Sequence, residues 1–219
     1  MRYDHEAMIG IVALEAHRAG AVVVGEDLGT VEPWVRDYLR DRGLFGTSIL
    51  WFELDRDGSG GPLSAERWRE YCLSSVTTHD LPPTAGYLAG EHVRLREKLG
   101  LLTRSAAEEL AADQQQQAAW RAELRRVGLL GDDADVEETV LALYRYLGRT
   151  PSKLLALSLA DAVGDLRTQN QPGTTDEYPN WRVPLSGPNG RKLLLEDVFS
   201  DPRAATLAEA MNGIVHPPV

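Results

Sequence analysis

Glu26 and Asp80 are the side chains in this 219-residue chain whose types and settings best suit acid/base chemistry. Each sits in a short polar cluster that follows a strand-like run. Gly25-Glu26-Asp27 follows Ala21-Val22-Val23-Val24, and Thr78-His79-Asp80 follows Leu73 to Thr77. A third polar segment, Asp161 through Trp181, follows Leu154 to Leu159. In α/β barrels the loops after the strands converge on one face, and that face carries the active site. A pair of carboxyls converging there suits acid/base or glycosyl chemistry. Each residue also has a plainer reading. A carboxylate after a strand commonly caps a helix or joins an ion pair. Asp27 can bond nearby backbone and shape its turn, and a lone His79 commonly makes a structural hydrogen bond.

Other chemistries find less support. His5, His17, His79, His92 and His216 are scattered without ligand spacing, so no metal site is expected. Gly58-Ser59-Gly60-Gly61 reads as a flexible loop, because no strand–loop–helix with a lysine follows it. There is no Gly-x-Ser-x-Gly nucleophile elbow. The single cysteine, Cys72, excludes an intramolecular disulfide framework and a cysteine-based zinc site, and it fits a reducing cytosol.

The elements that would position these residues alternate. Met8, Ile9, Val12, Ala13 and Ala16 share one face of a helix over 5–19 that Gly20 ends. The Val22–Val24 run predicts a strand buried on both faces, as in a parallel sheet. Thr30 is placed to cap a second helix that Gly43 closes, and Thr47 to Leu54 reads as a second strand. A Gly/Asp/Pro-rich loop over 55–63, a short helical stretch from Trp68 to Tyr71 and a third strand over 73–77 follow.

Residues 84–150 read as mainly helical, with the Gln114–Gln117 run on a surface helix. Asp135 and Glu138 are spaced for a capping box, and Gly148 and Pro151 stop that helix. Leu154 to Leu159 is the fourth strand, and 165–190 is a long polar loop. The last helix starts at Asp201-Pro202 and ends at Gly213. The fold class is α/β, with three regions expected: 1–83 carrying the Glu26 and Asp80 blocks, a helical insertion over 84–150, and 151–219 with the final strand, a loop and a terminal helix.

Composition bounds the partners. Hydrophobic residues are 43% and charged residues 26%, which suits a folded chain with its own core. The net charge of −10 repels phosphate backbones, so nucleic acid is not expected as a partner. No stretch approaches the roughly 20 apolar residues that span a bilayer, so no membrane partner is expected.

The three polar blocks carry a family resemblance. Ala21-Val22-Val23-Val24-Gly25-Glu26-Asp27-Leu28-Gly29-Thr30 resembles the acid/base strand of the 4-α-glucanotransferases, the amylomaltase or disproportionating enzymes of glycoside hydrolase family 77. Val76-Thr77-Thr78-His79-Asp80 resembles the second catalytic block of that family. Arg167-Thr168-Gln169-Asn170-Gln171-Pro172-Gly173-Thr174-Thr175, with Asn180-Trp181-Arg182, resembles its C-terminal block. The blocks stand in family order.

The resemblance implies a (β/α)₈ barrel and a retaining transfer of α-1,4-glucan segments between maltooligosaccharides, in the cytoplasm and without a cofactor. It makes Glu26 the acid/base, cycling between protonated and ionised forms. Asp80 stabilises the oxocarbenium-like transition state. His79, Asp27, Asn170, Pro172, Gly173 and Thr174 bind substrate. Trp51 and Trp181 could stack on glucose rings, though packing is the expected role of either.

The nucleophile block of the family is not matched. Arg2-Tyr3-Asp4-His5 is superficially similar, but no strand precedes it and it leads straight into a helix. The chain is therefore expected to be the C-terminal half of a TIM barrel with a helical insertion. It lacks the nucleophile and is able to pair with the missing N-terminal half. A related α-glucan hydrolase and a non-catalytic glucan-binding fragment are the competing readings.

Overall fold

The structure, a computed structural model, describes residues 3–215. Its sheet is parallel. Strands β1 (Gly46–Ile49), β2 (Cys72–Ser75) and β3 (Leu154–Leu155) lie side by side in chain order. Gly46 pairs with Cys72, Ile49 with Ser75, and Leu73 with Leu154. A parallel bridge between Val24 and Phe45 extends the sheet beyond β1. The chain thus crosses the sheet in one direction, as parallel neighbours require.

The helices follow their local signals. Helix α1 (His5–Ala19) is capped by Asp4, whose carboxylate accepts from the Ala7 N–H at 3.0 Å, and ends at Gly20 with φ 62°. Helix α2 (Pro33–Arg40) begins two residues later than a Thr30 cap would place it. Pro33 takes the first helical position and holds the preceding Glu32 extended, so Glu32, not Thr30, is the cap. Arg40 is its last residue, and Gly43 closes the turn beyond it.

Between β2 and β3 come α3 (Thr84–Leu88), α4 (Glu91–Lys98), α5 (Ala106–Arg126) and α6 (Val136–Leu147). Ser105 with Glu108 and Asp135 with Glu138 form complete capping boxes at α5 and α6. Then follow α7 (Leu159–Val163), α8 (Leu195–Phe199) and α9 (Pro202–Val215).

Several expectations shorten or change. The Val22–Val24 run makes only the single bridge, and Val22 is 59% exposed. It lies at the sheet edge, where nothing in the described residues covers it. Thr47–Leu54 divides into β1 and a 3₁₀ turn over Leu50–Phe52, because Leu50 and Trp51 bend into the helical core. The helical turn expected at 68–71 falls instead at Ala65–Arg67. The fourth strand is only two residues long, because Ser158 caps α7 immediately beyond it. Gly213 does not end α9, which runs to Val215. There Ile214 packs over Gly148, and any side chain at 148 would collide with it. Helix α8 has no counterpart in the sequence reading.

The main core lies on the helical side of the sheet. Trp51 meets the Tyr87 ring at 4.5 Å and Trp120 edge-on at 6.4 Å, and Trp120 meets Tyr146 at 5.4 Å. Leu124, Leu143, Leu147 and Val76 complete this fully buried cluster. Aromatic contacts of this kind add to a large apolar burial. The glutamine run is only half on the surface. Gln114 and Gln115 are exposed, but Gln116 reaches inward, donating to the Trp51 carbonyl at 2.9 Å and accepting from the Tyr87 hydroxyl at 2.5 Å. Alternate residues of the strands face the other way. Thr47, Ile49, Leu73, Ser75 and Thr77 line a cleft on the opposite side of the sheet.

Candidate active site

That cleft, of about 950 Å³, brings the first two polar blocks together. Glu26, Thr78, His79 and Asp80 line it at the strand ends, with Ala156 to Ala160 on the β3 side. Its volume lies within the usual range for small-molecule sites.

The turn holding Glu26 is fixed by its neighbour. The Gly25 N–H donates to the Phe45 carbonyl and the Phe45 N–H to that of Val23, which aligns the turn with β1. Asp27 is 2% exposed. One of its carboxylate oxygens accepts from the Thr47 N–H at 2.7 Å and the Thr47 hydroxyl at 3.0 Å. The other accepts from Arg36 at 3.1 Å and from Arg69. Arg69 also donates to the Thr47 carbonyl. Burial by itself raises the Asp27 carboxyl, but the bonds from Arg69 and Thr47 outweigh it and hold it below the usual range. The sequence reading made Asp27 a substrate contact. Here its oxygens are taken up by protein donors, and Asp27 is not among the residues that line the cleft. Glu26 beside it is exposed and faces the cleft.

The second block is a tight turn. The Ser75 hydroxyl donates to the Thr77 carbonyl at 2.9 Å, the Thr77 hydroxyl to the Pro82 carbonyl at 2.8 Å, and the Asp80 N–H to the Thr78 hydroxyl at 3.3 Å. His79 and Asp80 remain half exposed, with His79 Nε2 3.6 Å from Asp80 Oδ1.

The third block reaches the second through Asn170. Its amide Nδ2 donates to Asp80 Oδ1 at 2.6 Å, and its backbone N–H donates to the His79 carbonyl at 3.2 Å. Asn180 ties the rest of the loop together. Its Oδ1 accepts from the Gln171 N–H at 2.8 Å, and its amide donates to the Thr174 hydroxyl at 2.8 Å. Gly86 lets α3 lie flush against the Leu166 backbone, which seats the start of this loop. Pro172, Gly173 and Thr174 are absent from the cleft lining, although Gln169 and Val183 of the same loop belong to it.

Asp161, the first residue of the third cluster, is not at the cleft. Its buried carboxylate accepts from the Thr84 N–H and hydroxyl, both at 2.6 Å, and from the Tyr144 hydroxyl at 2.8 Å, which joins α3, α6 and α7. Burial raises this carboxyl above its usual range. Trp51 is a core residue, 6% exposed. Asp4 caps α1 and does not line the cleft. His216, named among the scattered histidines, lies outside the described residues, as does Arg2. Among the described residues no group of His, Cys, Asp and Glu is arranged to hold a metal ion. No helix among them is long and apolar enough to cross a membrane.

The sequence reading placed Gln169 and Asn180 in the C-terminal block without giving either a role, and it missed Tyr178, whose hydroxyl donates to the Thr168 carbonyl at 2.6 Å. The polar, turn-rich composition of 165–190 was the available signal, but not which side chains turn inward.

Comparison with known proteins identifies the family. A family model described as 4-α-glucanotransferase, glycoside hydrolase family 77, matches residues 1–189. A 4-α-glucanotransferase of Mycobacterium tuberculosis is 75% identical over 223 residues, covering 100% of this chain and 31% of the relative. That of Haemophilus influenzae is 27% identical, covering 97% of this chain and 30% of the relative. The crystal structure of amylomaltase from Corynebacterium glutamicum superposes with a TM-score of 0.91 at 46% identity, covering 96% of this chain and 31% of that one. Amylomaltase from Streptococcus agalactiae in complex with acarbose shares the fold, with a TM-score of 0.59 at 16% identity, covering 91% of this chain and 33% of that one. The chain spans about a third of the length of these relatives. With the model matching most of its length and the three blocks in family order, the chain belongs to the 4-α-glucanotransferase family, glycoside hydrolase family 77.

Proposed function

We propose that this chain supplies the acid/base and transition-state-stabilising side of a 4-α-glucanotransferase active site, acting on α-1,4-glucans and maltooligosaccharides in the cytoplasm. The observation that carries this is the meeting of Glu26, His79 and Asp80 in one cleft at the ends of parallel strands.

In the proposed reaction an aspartate outside this chain attacks the anomeric carbon. Glu26 protonates the departing glycosidic oxygen. A glycosyl ester forms and the glucan fragment leaves. The 4-hydroxyl of a second saccharide then attacks that carbon, Glu26 takes its proton, and the aspartate is released. Asp80, held by Asn170, accepts bonds from sugar hydroxyls beside the reacting carbon and favours its developing positive charge. His79 binds the same sugar. Asp27 is assigned the positioning of the Glu26 turn, because its oxygens already have partners. Pro172, Gly173 and Thr174 are assigned to the donor-side wall.

The same reading makes the chain the C-terminal half of a (β/α)₈ barrel. Residues 1–83 and 151–219 would carry barrel elements and 84–150 a helical insertion, with the N-terminal half as partner. The parallel order of the strands and the uncovered edge at Val22 support it.

Thin-layer chromatography of maltotriose tests the proposal, with the chain alone, the chain mixed with the N-terminal part, and Glu26→Gln in each. Longer and shorter maltooligosaccharides only in the mixture, and lost in the variant, are expected. Glucose and maltose without longer products would make the site hydrolytic. Saccharide binding without turnover in any mixture would make the chain a binding fragment.

A further inference from the structure

Trp181 is the only residue other than glycine with a positive φ among the described residues, at 62°. A bulky side chain in that conformation is a steric outlier. The usual compensation would be burial of the indole, yet Trp181 is 63% exposed. What holds it is the loop around it. Its N–H donates to the Gln169 carbonyl at 2.9 Å, the Arg182 N–H donates to the Pro179 carbonyl at 2.9 Å, and Asn180 is anchored to Gln171 and Thr174. The strained backbone delivers the indole to one partner, the His79 imidazole, with ring centroids 5.0 Å apart and planes inclined at 47°. His79 has little else to fix it: it is half exposed, and Asp80 lies at 3.6 Å. Strain maintained by a well-bonded loop, with no gain in burial, points to a functional demand on the side chain.

We propose that Trp181 is a positioning residue for the candidate active site: its indole fixes the orientation of the His79 imidazole, and through it the sugar-binding edge beside Asp80. This rests on the glucanotransferase reading for the identity of the sugar, but not for the placement of the ring. The third block thus restrains the second at two points, Asn170 on Asp80 and Trp181 on His79.

Three variants of the 219-residue chain test this: Trp181→Phe, Trp181→Ala and Trp181→Gly. Without sugar, the imidazole resonances of His79 are followed by NMR and stability by thermal melting. Trp181→Phe keeps the His79 resonances near their wild-type positions, whereas Trp181→Ala and Trp181→Gly shift or average them. Trp181→Gly melts above Trp181→Ala, because glycine adopts this φ freely. In titrations with maltotetraose, Trp181→Ala and Trp181→Gly bind roughly 2- to 10-fold more weakly, and Trp181→Phe restores most of the loss. Between alanine and glycine stability then rises while binding stays equally weak, which loss of a packing residue would not produce. Wild-type His79 resonances in Trp181→Ala, or Trp181→Gly melting at or below Trp181→Ala, overturn the proposal. If the wild-type chain mixed with the N-terminal part fails to bind maltotetraose while the His79 resonances respond as described, the positioning role stands and the glucan reading falls.

Discussion

Polar side chains are used in opposite ways in the helical layer over 84–150 and in the turns at the strand ends. In the helical layer several close on protein partners. Gln116 bridges Trp51 and Tyr87, Tyr146 donates to the Leu63 carbonyl at 2.9 Å, and both capping boxes are complete. At the strand ends Glu26 is exposed, and His79 and Asp80 keep about half their surface open. Rigidity there is supplied from beside the proposed reactive groups: Asp27 under Glu26, Asn170 on Asp80 and Trp181 against His79. A site can thus be firmly held while the atoms that meet substrate stay free. The two regions should respond to mutation accordingly.

The largest effect belongs to the helical layer. Trp120→Ala removes an indole that is 1% exposed and in contact with Trp51 and Tyr146, and should cost about 3–5 kcal/mol in urea unfolding. A loss under 1 kcal/mol would show that this cluster is not the main core.

Next comes the support under Glu26. Asp27→Asn leaves Arg36 and Arg69 without their anion. Both arginines retain access to solvent, so a loss of about 2 kcal/mol is expected, less than for a fully buried pair. The pH dependence has a definite sign. The folded Asp27 carboxyl lies below its unfolded value of about 3.9, so its contribution is complete above about pH 4 and disappears as pH falls through the folded value. The variant should lose stability less steeply on the acid side. Parallel acid profiles for wild type and variant would remove Asp27 from that account.

Ser105→Ala opens one capping box on the exposed start of α5 and should cost about 1 kcal/mol by the same unfolding measurement. The smallest effect on stability is expected at the proposed centre of the chemistry. Glu26→Gln should fall within about 0.5 kcal/mol of wild type, because Glu26 is exposed. A large loss there would erase the contrast between the two regions and make Glu26 a structural residue.

How much of this was legible depends on the range of the forces involved. Caps and stops are local: Asp135 and Gly20 were read from the sequence, whereas the caps Asp4 and Ser105, of the same range, were not. The cap at α7 was equally local, yet the apolar run Leu154 to Leu159 hid it, because a short apolar run fits strand and helix alike. The inward turn of Gln116 was not legible, because its partners Tyr87 and Trp51 lie 29 and 65 residues away in sequence. Nor was the difference between Glu26 and Asp27. Both are carboxylates in one turn, and only the arrival of Arg69 and Thr47 buries one and leaves the other open.

The sequence by itself determined the α/β class, the helical nature of 84–150, the bounds of α1 and α6, the start of α9 and, through three ordered blocks, the family. Periodicity, turn chemistry and motif order are written in neighbouring residues, so they survive without coordinates. The tertiary structure alone decided that Glu26, His79 and Asp80 share a cleft, that Asp161 does not join them, and that Trp51 is core while Trp181 stands exposed on His79. Those outcomes depend on contacts between segments far apart in the chain, where burial and hydrogen-bond partners are set by which elements pack together and not by the residue itself.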